Sequence, residues 1–358
     1  DMCIRDRDWL DNNTDKSDII TFIFLIFLGS IGMPLFFMMA GAGSLFALRR
    51  RTGRQFAAER TKRLLVPFFV GSILLSPVQF YLEWLHKGWY EGSFLQFLPV
   101  LAQDRLDRLL TFSPSIFEAL GSHLWFLGYL FSFSLIALPL FLWLKSGPGR
   151  RALAWLGKLG ERRGGLLLLI LPIAAVRMSL QPFFPGYTDW SDFGYMLIYF
   201  VCGYLLYADE RLVRAVRRDW RLMLTAGVSS TLIMLLGLTV LDGQEWVKDP
   251  STPGFYLCWG LVGVNGWSWT LFALWLGMRF FDFRNRWLER GQELIVPFYV
   301  FHQPPIVVIA FFAVQWPVAL LVKLAVIVVS SFAITVGVCE GIVRRICLLY
   351  TSDAADDN

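Results

Sequence analysis

Charge is scarce in this chain: only 17% of its 358 residues are charged, and it holds three histidines and five cysteines. No cysteine belongs to a CxxC pair. Cys202, Cys258 and Cys339 each lie inside an apolar run with no histidine nearby, so neither a disulfide framework nor a metal site is indicated, and the three are read as packing residues. A Walker loop, GxSxG, HExxH and a dinucleotide fingerprint are all missing, which leaves ATP-driven transport and soluble-type hydrolysis without support. There is no internal repeat, direct or inverted, of the kind that marks a transporter built from two halves. The net charge of +5 does not point to nucleic acid, because the cations sit in short blocks between apolar runs and form no continuous basic stripe.

What fills the chain is apolar: 56% hydrophobic residues and a mean hydropathy of +0.54, the composition of an all-α polytopic transmembrane bundle. A spanning helix needs about 20 mainly apolar residues, and on that basis nine spans are expected. They are Ile20–Leu48, Leu64–Leu85, Leu124–Leu144, Gly165–Met178, Phe193–Tyr207, Leu222–Leu241, Phe255–Phe280, Leu294–Phe312 and Pro317–Val343. Between the first two lies a block holding Arg49, Arg50, Arg51, Arg54, Arg60, Lys62 and Arg63, which the positive-inside rule places in the cytoplasm. From there the loop charges alternate: His86–Gly121 outside, Lys145–Arg163 inside, Arg177–Asp192 outside, Arg211–Arg221 inside, Asp242–Gly254 outside and Arg279–Arg290 inside. After the short turn Ala313–Trp316, Arg344 and Arg345 put the C-terminus in the cytoplasm. Nine spans then leave Asp8–Asp18 outside, and a tenth span is expected upstream.

The two ends are read as foreign to the fold. Met2–Asp6 and Cys347–Thr351 can be written as one short DNA string and its reverse complement, resembling a transposon mosaic end translated on both flanks. Residues 1–7 and 347–358 are therefore taken as non-native, and 8–346 as a single, N-terminally truncated domain.

Few residues are suited to chemistry. Arg60 and Arg63 are three apart and would share one helix face, a fork for phosphate oxygens or simply topogenic arginines reaching headgroups. His123 opens the third span and His302 lies about two turns into the eighth, followed by Gln303, Pro304 and Pro305, where the helix must break and carbonyls become free. An ionisable residue at membrane depth suggests function by default. Glu83 is a carboxylate near a span end, and Glu340 is expected to pair with Arg344. Trp84, Trp89, Tyr90, Trp125, Tyr187 and Trp190 gather at outer span ends, as an aromatic belt or as a stacking platform for a sugar. Phe94–Phe112 has the pattern of an interfacial amphipathic helix.

Four stretches in order, GMPLFFMMAGAGSLFALRRR, ERTKRLLVPFF, SHLWFLGYLFSFSLIALPLF and VPFYVFHQPPIV, resemble the acyltransferase-3 family of integral membrane acyltransferases, most closely its glucan biosynthesis protein C-like branch. The resemblance runs from about Asp8 to Ile346. It implies a ten-helix bundle in a bacterial inner membrane that passes an acyl group, succinyl or acetyl, from cytoplasmic acyl-CoA to a periplasmic glucan or other carbohydrate hydroxyl. Acyl-CoA would be a substrate, with no permanently bound cofactor and no metal; membrane lipids are the other expected partner. The family's RxxR pattern matches Arg60 and Arg63, which would hold the CoA phosphates. Its first-span histidine, the base or acyl relay, has no counterpart here, so the chain as given is expected to be inactive. His123 and His302 become candidates for positioning the acceptor or stabilising the oxyanion, with Glu83, Trp84, Trp125 and Gln303 as candidate acceptor contacts. The alternative is a non-enzymatic permease for a lipid-linked or small organic solute, with its site at the break near Pro304.

Overall fold

The computed structural model describes residues 19–240, 248–283 and 285–343, which contain helices and turns but no strand. In chain order the α-helices are α1 (Ile19–Arg50), α2 (Gly53–Arg60), α3 (Val66–Leu74), α4 (Ser76–His86), α5 (Phe94–Leu109) and α6 (Ile116–Gly121). They continue as α7 (Trp125–Ile136), α8 (Leu138–Leu144), α9 (Gly147–Glu161), α10 (Ile170–Leu180), α11 (Trp190–Ala208) and α12 (Glu210–Arg218). The last are α13 (Trp220–Val240), α14 (Pro253–Phe280), α15 (Arg286–Phe301), α16 (Gln303–Ala313) and α17 (Leu320–Val338).

Among the described residues, seven helical stretches are long and apolar enough to cross a membrane, and the pair Gly53–Leu74 and Ser76–His86, bent by 46°, makes an eighth if it is one span. The remaining expected span appears as Gly165–Leu180, an apolar helix short of membrane length. The fold is thus the all-α polytopic bundle expected from the composition. The bend has a local cause. Pro77 cannot donate to the Ile73 carbonyl, so the ladder opens at Leu75. The third span begins earlier than hydropathy indicates, at Ile116, and ends at Ile136. The end segments, Arg344, Arg345 and hence the Glu340–Arg344 pair, most of the acidic loop after Leu241 and the side chains of Arg284, Arg286 and Arg290 lie outside the described residues.

The described residues form two compact units, one drawn from 19–62 and 129–282, the other from 63–128 and 283–343. In the first, α1 lies along α11 and α14, and α10 along α11 and α14. The α1–α11 approach rests on glycine: a Cβ on Gly41 would meet the Phe200 carbonyl oxygen at 1.8 Å, and one on Gly203 the Met38 carbonyl oxygen at 1.9 Å. Beside this contact runs a column of buried rings. Phe37 lies 5.1 Å from Phe133, Phe133 4.8 Å from Phe193, and Phe141 stacks on Tyr204 at 3.9 Å.

One end of this unit gathers the turns whose charge marks them as one side of the membrane. Lys145 Nζ donates to the Leu48 carbonyl at 2.7 Å. Arg211 bridges Glu161 and Asp209, both at 2.8 Å. Arg218 donates to the carbonyls of Gly160 and Arg162, while Asp219 accepts from Gly164 N–H at 2.9 Å. The buried Asp219 carboxyl is held below the usual carboxylate range, chiefly by its hydrogen bond from Arg218. A carboxylate whose folded value is depressed stabilises fully above its unfolded value, about 4, and that contribution is lost as pH falls through the lower folded value. Asp219→Ala also strands the Gly164 donor, so about 1–3 kcal/mol should be lost at pH 7. Thermal unfolding of the detergent-solubilised protein should show the gap between wild type and variant shrinking below pH 4. A gap that does not change with pH would contradict it.

In the second unit α3 and α4 pack with α5 and α6, and α15, α16 and α17 pack on one another and, through α15 and α16, on α3 and α4. The amphipathic helix expected at residues 94–112 is α5, capped by Ser93 with Gln96 in a reciprocal box. Its Phe97 and Leu101 are buried with Phe80, and Tyr81, Trp84 and Tyr90 pack around them.

A histidine pair at a broken helix

The candidate site of the second unit starts from a proline. Pro304 has no N–H to give the carbonyl four residues back, that of Val300, and the helix breaks at His302 between α15 and α16. The freed carbonyl is taken up from another helix: His123 Nε2 lies 3.2 Å from Val300 O. His302 Nδ1 lies 2.7 Å from Tyr299 O. The two imidazoles meet edge to face with centroids 5.3 Å apart and planes at 90°.

Carbonyl oxygens only accept, which places the proton of His302 on Nδ1. His123 faces a carbonyl oxygen from each ring nitrogen, Val300 O from Nε2 and Gln79 Oε1 from Nδ1, both at 3.2 Å, and the neutral ring donates to one of them. His302 Nε2 is a lone pair with no hydrogen-bond partner among the described residues. Around the pair, Tyr299 donates its hydroxyl to the His123 carbonyl, Phe298 lies parallel to His302 at 6.0 Å and Phe126 meets Tyr299 at 5.4 Å. Ser122, just before His123, has φ of 51°, strained for a residue with a Cβ and in keeping with a position held for function. His123 is 3% exposed and His302 half-buried, so the open nitrogen is on the more accessible ring.

The other expected residues fall in several places. Trp125 is buried two residues after His123, and Gln303 is half-buried at the start of α16. Glu83 pairs with Lys87 at 3.4 Å, and Trp84 meets Phe97 at 5.2 Å in the aromatic cluster under α5. Arg60, in the first unit, ends α2 half-buried, donates to Ser44 Oγ at 3.2 Å and lies over the Phe56 ring at 4.9 Å. The basic turn before it is fixed by a capping box between Thr52 and Gln55 and by the Arg51–Glu59 pair at 2.9 Å. Arg63 is exposed and belongs to the second unit, within the π-helical turn Thr61–Leu65. That turn interrupts the α-helical spacing from which a shared face was expected; π-bulges recur at functional sites.

Tyr299 and Gln79 escaped the sequence reading, although Tyr299 is one turn before His302 and Gln79 is a polar residue in an apolar span. A second polar cluster, in the first unit, was also missed. Arg177 in α10 is 7% exposed, pairs with Asp192 at 2.6 Å, and reaches Gln181 and Ser191. It lies over Tyr195 at 4.1 Å. A cation inside an apolar run was the available signal. Among the described residues no group of three or more His, Cys, Asp or Glu is placed to hold a metal ion.

Apolar helices of membrane length with polar side chains gathered inside them define a multi-pass membrane protein with a built polar site. More particularly, the chain belongs to the acyltransferase-3 family, whose model, described as an acyltransferase domain, matches residues 9–340. That membership makes it a membrane acyltransferase. No curated protein and no solved structure matches it.

Proposed function

We propose that the protein moves a succinyl or acetyl group from acyl-CoA to a carbohydrate hydroxyl, with a glucan on the outer side of a bacterial inner membrane as acceptor, and that it belongs to the glucan biosynthesis protein C-like branch. The observation that carries this reading is the family match across residues 9–340. In the reaction the acceptor oxygen bonds to the thioester carbonyl carbon, the C–S bond breaks, and the hydroxyl proton ends on the departing CoA sulfur. Arg60 and Arg63 supply guanidinium forks for the CoA phosphates from the cytoplasmic side. The open Nε2 of His302 accepts a hydrogen bond from the acceptor hydroxyl. Trp125 and Gln303, chain neighbours of the two histidines, contribute to the same acceptor face. Glu83 and Trp84, on the helix that carries Gln79, contribute at its edge.

Acyl-CoA binding by the full-length protein in nanodiscs tests the donor half. Arg60→Ala and Arg63→Ala should each weaken succinyl-CoA or acetyl-CoA binding about tenfold, the loss of one charge-assisted contact. Unchanged affinity in both variants overturns the donor site. Radiolabel passing from acyl-CoA to glucan supports the transfer. Solute flux that needs no acyl-CoA would replace it with a permease.

A further inference from the structure

Helix α5 leaves a cleft of about 520 Å³ between itself and the bend joining α3 to α4, within the range of about 300–1,000 Å³ common for small-molecule sites. Its walls are aliphatic: Ile73 and Pro77 on one side, Leu98, Leu106 and Leu109 on the other. Ile73, Leu106 and Leu109 are each more than half exposed, so the cleft is open along its length. The one charged residue lining it is Arg105.

Arg105 is placed with care and left uncompensated. Its Nη2 donates to Ser76 Oγ at 2.7 Å and to the Leu120 carbonyl at 2.8 Å, which pins the side chain between α4 and the end of α6. Its Nε is buried without an acceptor, and its Nη1 has no hydrogen bond to any described residue. Asp104, its neighbour in the chain, is engaged by Arg108 at 2.9 Å. Burial pulls the Arg105 guanidinium below its ordinary value, as expected of a cation lacking a full counter-charge.

The surroundings identify the occupant. Along and just beyond α5, Leu95, Leu110 and Phe112 are 76%, 85% and 87% exposed, while Gln103, Asp107 and Arg108 form a polar face. That is the pattern of a helix lying in the membrane interface, where phospholipid is the most abundant amphiphile and arginine meets phosphate. An aliphatic trough with a single guanidinium matches one acyl chain and one anionic headgroup. We propose that this cleft seats an acyl chain of an anionic phospholipid whose phosphate accepts from Arg105 Nη1. None of the residues lining the cleft is among those assigned above to the donor or the acceptor.

The test titrates detergent-solubilised protein with dioleoyl phosphatidylglycerol or dioleoyl phosphatidylcholine and counts bound lipid by native mass spectrometry. The first phosphatidylglycerol should bind about tenfold more tightly than phosphatidylcholine, whose choline cation offsets the phosphate charge that Arg105 meets. Arg105→Gln should bring it to the phosphatidylcholine level, and Ala102→Trp, which fills the trough from α5, should weaken both. If Arg105→Gln does not fold, Ala102→Trp decides alone. Equal binding of the two lipids by wild type, a preference that survives Arg105→Gln, or full binding by Ala102→Trp each overturns the proposal. Displacement of phosphatidylglycerol by an equal concentration of a lipid-linked saccharide overturns its assignment to a membrane phospholipid.

Discussion

Gly203→Val should yield no folded protein in the membrane, and Gly41→Val should do the same. A Cβ on Gly203 would stand 1.9 Å from the Met38 carbonyl oxygen and 2.7 Å from its carbon; on Gly41 it would stand 1.8 Å from the Phe200 oxygen. These obstacles are backbone, so no rotamer change relieves them. The helices must separate along a contact that buries Phe37, Met38, Tyr199, Phe200 and Tyr204. In lipid, tail exclusion gives helices little drive to associate, and close packing at small residues is what holds them. Overpacking a core costs roughly 1–3 kcal/mol even when side chains can yield. Here the cost should exceed about 3 kcal/mol, a large part of the roughly 5–15 kcal/mol that keeps a typical protein folded. Gly43, two residues along the same helix, has nothing within 4 Å of its would-be Cβ, and Gly43→Val should be near neutral. Yield of monodisperse protein and thermal unfolding separate the cases. A stable Gly203→Val protein would mean that α1 and α11 are not packed as described.

This contact shows what a linear reading can reach. The run AGAG in α1 announces a close helix approach, since small residues are what membrane helices use for it, but its partner at Gly203 carries no mark in the sequence. Apolar runs marked, in order, the seven helices long enough to cross, the bent pair and the shorter Gly165–Leu180 among the described residues, because the cost of burying charge in lipid acts locally along the chain. Boundaries were harder. Ile116–Gly121 was assigned to the outside loop, with the third span running from Leu124 and His123 at its opening, yet the helix starts at Ile116 and Ser122 and His123 are buried, with Gln79 and Val300 O as partners. Hydropathy charges the desolvation of a polar group and has no means of crediting a partner from a distant helix.

The site divides in the same way. That the chain breaks near His302 follows from Pro304 and Pro305, and the freed Val300 carbonyl follows from counting four residues back. That His123 would fill it, 177 residues away, follows only from the fold. Arg177 was legible as a cation in an apolar run, but its nearness to the span end made it look like a loop charge, when it is sealed under Tyr195 against Asp192.

His302→Asn in the full-length enzyme should lower the rate of acyl transfer about a hundredfold and leave the fold intact. The asparagine amide reaches where Nδ1 stood and still donates to the Tyr299 carbonyl, so the broken helix keeps its internal bond. What disappears is the lone pair at Nε2. General acid–base contacts of this kind contribute roughly 10²–10⁴-fold, and a hydrogen bond that only orients the hydroxyl lies at the low end of that range. His302→Gln, whose amide reaches toward the Nε2 position, should restore part of the rate. The loss should fall on kcat, with acyl-CoA affinity unchanged, because the donor contacts assigned to Arg60 and Arg63 do not involve this ring. Radiolabel transfer from acyl-CoA to glucan gives the rates, and thermal unfolding within about 2 °C of wild type confirms the fold. If His302→Asn transfers at the wild-type rate, the open nitrogen has no part in the chemistry. If it loses activity and stability together, the pair at Val300 and Tyr299 serves the helix break alone.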